Sequence, residues 1–546
     1  MSIEDCIVRS ALWAAYGDAV GFIGEMADAE KVRYRTGGSS RIEGAGSWRR
    51  RIGGRFGGIV QLPAGCYSDD TQLRLATSRA IRANGEFDVE AFAKVELPVW
   101  ASYALGAGKT TRTAAKALAQ PRATWVTNFF DVEDANYVRA GGNGAAMRIQ
   151  PHVWSAKDWQ RPETFLRDVV RNTIATHGDP RGIVGAVIHA LFLADTLAYG
   201  RIPAPQRWEG LVNAASAVLD VVDGDSDLRD VWRPLWEQKT ARNFATGVRE
   251  TIAECISYCH LISELMTEDI QGSYAKAVEG LGGFAPESRG SATVTALLAS
   301  LLAWLYRANP VEGILCAANV LGSDTDTIAS MGGAIMGAVS EIAPDDAIAD
   351  REYVEREARR LADVRSGSAQ GSFSYPDLLR WVAPRTQLDT VGQSTSGEIV
   401  VAGLGPARAI GDPINFRASE TEVMQWVELS FRQRLLMRQR QPLPVLQMST
   451  VDNKPAGQEP RHGGSLASGL GPEFSSFPQK SLSLDEATRQ VINSGFDPEM
   501  TGRFLLEFAK GDNGIELAIG FASIVSKAKI ARDQAEHRRD RRKPNN

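Results

Sequence analysis

Across the first 385 residues, nearly every segment repeats its apolar side chains at helical spacing, and the most apolar segments are studded with glycine and alanine. "TIAECISYCHLISELM" and "ATVTALLASLLAWLYRA" carry apolar side chains at i, i+3, i+4 and i+7 between short runs of Gly, Pro or Asp. "GIVGAVIHALFLADTLA" and "IASMGGAIMGAVSEI" have the same period with small residues on the candidate packing face, which lets helix axes approach closely. The two-residue alternation of a half-buried strand is sparse there. The pattern predicts an all-α fold, an orthogonally packed multi-helix globule over residues 1–385. No self-similarity at a fixed period is visible, which argues against a solenoid.

The composition changes after Thr386. Residues 386–445 read as a mixed extension: "GEIVVAGLGPARAIGDPINF" as a strand or two, then "ETEVMQWVELSFRQRLLMRQRQ" as a helix. Residues 446–482 are rich in Ser, Gly, Pro and Gln and read as a disordered linker. Residues 483–546 read as a small helical unit ending in a basic tail, with Arg538, Arg539, Arg541, Arg542 and Lys543 clustered.

With 61 Lys plus Arg against 66 Asp plus Glu, the net charge is -5, so no global basic field points to nucleic acid or an anionic membrane. Cys6, Cys66, Cys255, Cys259 and Cys316 have no disulfide-framework spacing, which fits a reducing compartment. Cys255, Cys259 and His260 lack a second ligand pair for zinc and read as core. "YALGAGKTT" has Tyr103 where a phosphate-binding P-loop requires its first glycine and follows a helical stretch, so ATP hydrolysis is not expected. The N-terminal stretch lacks the basic and apolar regions of a signal peptide, and no run of about 18 uncharged apolar residues occurs. The expectation is a soluble, cytoplasmic protein without a membrane partner.

Two short clusters carry the chemistry. "YSDDT" places Ser68, Asp69 and Asp70 at a helix start, and "GSDTDT" places Asp324, Asp326 and Thr327 at another. Each alone reads as a helix cap. Together they offer more hard oxygen donors than two caps use, of the kind that Mg²⁺ and Mn²⁺ accept. Four carboxylates brought together without cations would repel one another; a pair of divalent ions about 3.5–4 Å apart relieves that repulsion and makes a two-metal hydrolytic site. Between the clusters, Gly141, Gly142, Asn143 and Gly144 form either a plain turn or a loop whose N–H groups approach a phosphate. His177 precedes a Pro-initiated helix, in a structural or a functional role.

The ordered set "YGDAVGFIGE", "YSDDT", "GGNGAAMR", "THGDP" and "GSDTDTIASMGGAIMGA" resembles the ADP-ribosyl-acceptor hydrolase (ADP-ribosylglycohydrolase) family, the group of dinitrogenase reductase-activating glycohydrolase, over roughly residues 4–385. The resemblance implies an all-α fold with a centre of two Mg²⁺ or Mn²⁺ ions, and cleavage of the bond between the distal ribose of ADP-ribose and its acceptor. By position, Ser68, Asp69, Asp70, Asp324, Asp326 and Thr327 would be the metal ligands. Glu25 would guard or assist the centre, with Asp69, Asp70 and Glu25 as candidates for activating water. Gly141, Gly142, Asn143 and Gly144 would contact the diphosphate and nearby ribose, and His177 would line the adenosine side. The chain departs from the commoner pattern in having Ser68 for Thr and Ser323 for Gly. The Arg- and Gly-rich insertion at residues 30–64 is expected to form a substrate-side loop.

The expected partner is an ADP-ribosylated macromolecule, a protein in preference to a nucleic acid. Two other readings compete: a non-catalytic ADP-ribose binding module, and a hydrolase of a free ADP-ribose-type nucleotide. Retention of all four carboxylates speaks against the first. The arginine-rich insertion and the long C-terminal extension speak mildly against the second.

Overall fold

The computed structural model describes residues 2–53, 57–378, 380–415, 421–446, 484–510 and 514–540. They fall into two compact units, one running to Gly457 and the other from Gln458 onward.

The first unit is built on the pairing of two helices remote in sequence, Ile3–Gly24 and Thr325–Val339. The first starts at Ser2, whose Oγ accepts the Asp5 amide at 3.0 Å. Its glycines explain the pairing. A Cβ on Gly17 would lie 2.2 Å from the Ala329 carbonyl oxygen, and one on Gly21 2.3 Å from that of Thr325. On the partner helix, a Cβ on Gly333 would lie 2.4 Å from the Trp13 carbonyl oxygen. The backbones therefore touch where any side chain would force them apart. The consequence is positional: the Thr325 hydroxyl donates to the Gly21 carbonyl at 2.8 Å, which fixes the acidic start of one helix beside the end of the other.

Pro180–Tyr199 and Ala292–Leu305 pack on each other and on Thr325–Val339, with Gly185 against the Ala292 backbone. Ile3–Gly24 and Pro180–Tyr199 are long and apolar enough to cross a membrane, but 89% of each apolar window is buried inside the protein, as befits core helices. All five cysteines are free, and Cys255 and Cys259 are buried on the Phe244–Leu265 helix.

Within residues 30–64 the chain forms an antiparallel hairpin, Trp48–Ile52 against Gly58–Leu62. Trp48 and Leu62 are paired and buried, while Arg49 and Arg51 face outward.

Residues 391–440 form a five-stranded antiparallel sheet in sequence order: Val391–Gln393, Ile399–Val401, Gly405–Asn415, Glu422–Leu429 and Arg434–Arg440. The last two strands occupy the stretch that the sequence pattern assigned to a helix. Glu422–Leu429 buries Val423, Met424, Gln425, Val427, Glu428 and Leu429, so both faces are covered and the alternation that marks a strand is lost. A tight turn joins the pair, with the Leu429 amide on the Gln433 carbonyl at 2.8 Å and Arg432 at φ 75°.

The sheet shares the helical core. Met437, Leu435 and Val427 belong to the same apolar cluster as Trp13 and Leu73. Buried Arg79 makes two bonds to Glu96, at 2.7 and 2.8 Å, and donates to Gln433 Oε1 at 2.7 Å. Asp350 accepts from the Tyr67 hydroxyl at 2.7 Å and from Arg434 Nε at 2.6 Å.

The second unit comprises the helices Leu484–Asn493, Pro498–Phe508 and Gly514–Asp540. They close over Ala487, Val491, Phe508, Phe521 and Val525. Apart from Leu446, the expected linker at 446–482 lies outside the described residues, as do Arg541, Arg542 and Lys543 of the basic cluster.

Candidate active site

The Asp69–Arg79 helix starts with its amide donors already satisfied. Asp18, fully buried in the first helix, accepts the amides of Ser68 and Thr71, each at 2.8 Å. Ser68 Oγ accepts the Asp70 amide at 3.2 Å, and the Asp69 amide donates to the Leu105 carbonyl at 2.7 Å. The capping work falls to Asp18, Ser68 and Leu105, so the carboxylates of Asp69 and Asp70 are free for another purpose.

The second cluster meets the first. Asp70 Oδ2 accepts from Thr327 Oγ1 at 3.4 Å, across 257 positions of sequence, and from Ser68 Oγ at 3.3 Å. Asp326 is buried one residue away, its Oδ1 on the Thr327 amide at 3.0 Å. Asp324 is half-buried, and its Oδ2 accepts Asn143 Nδ2 at 2.7 Å, which ties the glycine loop to this centre. Glu25, directly after the first helix, pairs with Arg50 of the hairpin at 2.8 Å. The point a Cβ would take on Gly106 (φ 90°) lies 3.0 Å from Asp69 Oδ1 and 3.4 Å from Glu25 Oε2, so those two carboxylates face one another across a glycine.

Burial raises the carboxyl groups of Asp69, Asp70 and Asp326 well above the usual carboxylate range, and their acidic neighbours raise them further: Glu25 and Asp18 for Asp69, Asp18 and Asp69 for Asp70, Glu25 and Asp324 for Asp326. Glu25 is raised by burial against the opposing pull of Arg50. Arg74, also buried, is the inner counter-cation to Asp70 and Asp18. Asp70 Oδ1 is buried without a hydrogen-bond partner, which leaves a hard, unsatisfied oxygen facing like charges. Among the described residues, no three His, Cys, Asp or Glu side chains stand in metal-holding geometry. The case for cations therefore rests on the donor set: carboxylates, two hydroxyls and an orphaned oxygen fit a hard divalent ion.

The glycine loop lies alongside. Gly142 bridges to Ser291, and the Asn143 amide donates to the Gly290 carbonyl at 2.8 Å. A Cβ on Gly144 would lie 2.5 Å from Thr111 Oγ1 and 3.2 Å from the His177 ring. Gly141 faces Asp179 and Arg181 instead. His177 is buried, its Nδ1 2.7 Å from Thr176 Oγ1, and burial aided by Arg148 lowers it to about 3, so it stays neutral.

The structure adds residues that sequence reasoning left without a role. Asp18 does the capping, and its signal was a lone carboxylate within an apolar helix. Arg148 is wholly buried, donates to the Gly144 carbonyl at 2.9 Å and to Thr176 Oγ1 at 2.8 Å, and so braces both the loop and His177. Arg50, one of the arginines of the insertion, reaches Glu25.

A largely helical unit thus brings two hydroxyl-and-carboxylate clusters together beside a glycine loop. A sequence model of the ADP-ribosylglycohydrolase family matches residues 3–371, and the chain belongs to that family. Among solved structures, a chain described as an "ADP-ribosylglycohydrolase-related protein complex" is 20% identical, with a TM-score of 0.39, covering 67% of this chain and 99% of that one. No curated protein sequence matches.

Proposed function

We propose that this glycohydrolase removes ADP-ribose from a modified macromolecule by hydrolysing the bond at the anomeric carbon of the distal ribose, in a centre that takes two Mg²⁺ or Mn²⁺ ions. The observation that carries the proposal is the meeting of Thr327 with Asp70 beside the orphaned Asp70 Oδ1.

Ser68, Asp69, Asp70, Asp324, Asp326 and Thr327 would hold the ions. When bound, divalent cations supply Lewis acidity, orient sugar hydroxyls and lower the pKa of water. The remaining work falls to the chain. The Asn143 side chain, tied to Asp324, and the glycine loop of Gly141, Gly142 and Gly144 offer a small-residue surface to the diphosphate and its ribose, with Gly142 and Gly144 on the His177 side. Neutral His177 lines the adenosine side without adding charge. Glu25 and Asp69, facing each other across Gly106, stabilise the cationic, oxocarbenium-like state that glycosidic cleavage passes through. Asp69 or Asp70, or else Glu25, accepts a proton from the attacking water.

The test is incubation with Mg²⁺ or Mn²⁺ and a panel of ADP-ribosylated acceptors alongside a free ADP-ribose-type nucleotide, reading ADP-ribose release. Release from a macromolecule supports the proposal. Turnover of the free nucleotide alone, or binding without turnover, contradicts it.

A further inference from the structure

We infer that the acceptor this centre releases is uncharged or anionic at the linkage, and that Arg50 is the residue that excludes a cationic acceptor such as arginine. The inference rests on the hydrolase reading above and narrows its substrate class.

Arg50 is held in place. Its guanidinium lies 2.8 Å from Glu25 Oε2, 4.3 Å over the Phe22 ring and 5.8 Å from the Trp48 ring. Those two rings meet edge to face at 5.0 Å. A guanidinium between aromatic faces and a carboxylate is anchored by both. A second cation stands beside it. Arg35 Nη1 donates to the carbonyls of Ile23 and Glu25 at 2.7 and 2.8 Å, and its guanidinium lies 5.3 Å from the Trp48 ring. Burial and the neighbouring Arg50 lower the Arg35 guanidinium to about 10. The other charges felt here are Asp69, Asp324 and Asp326, which the proposed function commits to cations, Asp18 behind Asp69, Arg112 near Asp69, and the exposed Asp28 near Arg35.

Glu25 is therefore the one half-buried carboxylate of this rim not assigned to metal, and it already faces two arginines, while Asp28 is exposed and paired with Lys31. An arginine acceptor leaving beside Glu25 would bring a third guanidinium into a half-buried site, where like charges repel strongly. Hydrogen-bond chemistry points the same way. Arg50 Nη1 is buried without a partner and can only donate, whereas Glu25 Oε2, also without a well-directed hydrogen bond, is already ion-paired with Arg50 Nη2 at 2.8 Å. A guanidinium offers donors alone, whereas a hydroxyl, carboxyl or nucleobase linkage offers the acceptor that Nη1 lacks.

The experiment compares three conjugates with Mg²⁺ or Mn²⁺ present: peptides of one flanking sequence ADP-ribosylated on serine or on arginine, and an oligonucleotide ADP-ribosylated on a base. The full-length chain and its Arg50→Gln variant are assayed for kcat/KM, with thermal melts verifying that the variant is folded. The wild type is expected to favour a non-cationic conjugate over the arginine peptide by about tenfold or more, and Arg50→Gln to narrow that ratio about fivefold. Preference for the arginine peptide, or a ratio unmoved in folded Arg50→Gln, overturns the inference alone. Release from none of the three overturns the hydrolase reading, and the inference with it.

Discussion

At the scale of one residue, Asp18 takes over much of the capping that "YSDDT" could itself supply. Read alone, Ser68, Asp69 and Asp70 are good capping residues; with Asp18 on the amides of Ser68 and Thr71, two acids remain that no cap needs. Replacing Asp18 with Ala leaves those buried amides unpaired and is expected to cost about 2–3 kcal/mol, measured by denaturant unfolding. The buried histidines make a second prediction at this scale. His152, His177 and His189 are each lowered to about 3 by burial, so between that value and the ordinary value near 6.5 the unfolded chain binds more protons than the folded one. Their contribution to stability is present above about 6.5 and is lost as the pH falls toward about 3. Thermal melts should drop steeply below pH about 6, and His189→Gln, which keeps a polar partner for Gln150, should flatten that slope by up to about 1.4 kcal/mol per pH unit.

Between elements, close approach decides the geometry of the site. Gly21→Ala puts a Cβ against the Thr325 carbonyl, and it should destabilise by about 1–3 kcal/mol while shifting the start of the Thr325–Val339 helix. Gly210→Ala is the control: exposed within a helix and with nothing near its Cβ, it should stabilise by about 0.5–1 kcal/mol. Helices such as Phe244–Leu265 were legible in the sequence because one-sided burial leaves a 3.6-residue period; Pro180–Tyr199 and Thr325–Val339 are buried all round and were legible by their length and small residues. The strands Glu422–Leu429 and Arg434–Arg440 were not, because burial on both faces erases the two-residue period. The hairpin at 48–62 escaped for a different reason: in its first strand Trp48 is the one buried residue among arginines, and its second strand buries only Val60 and Leu62.

Across the molecule, the five-stranded sheet is wired to the helix that carries the acidic cluster. Arg79, on that helix, joins Glu96 and Gln433, and Tyr67, directly before Ser68, joins Asp350 and Arg434. Glu96→Gln breaks a fully buried ion pair and should cost about 3–5 kcal/mol. A chain ending at residue 385 loses Gln433 and Arg434, and its melting temperature should fall well below that of the full protein. The local clusters were legible in sequence, as was the chance that they meet; the dependence of the site on the extension was not, since Arg79 and Gln433 lie 354 positions apart. The clusters at 68–70 and 324–327 are proposed to hold, together, the cations that drive glycosidic cleavage. The direct measurement is ADP-ribose release by the wild type and by an Asp69→Ala, Asp326→Ala double variant, with Mg²⁺ or Mn²⁺ and with chelator, alongside metal-dependent thermal shifts. Release that requires metal and falls at least about 10³-fold in a folded double variant, together with loss of the thermal shift, is the predicted result. Release that persists in chelator, or normal turnover by the folded double variant, contradicts the claim.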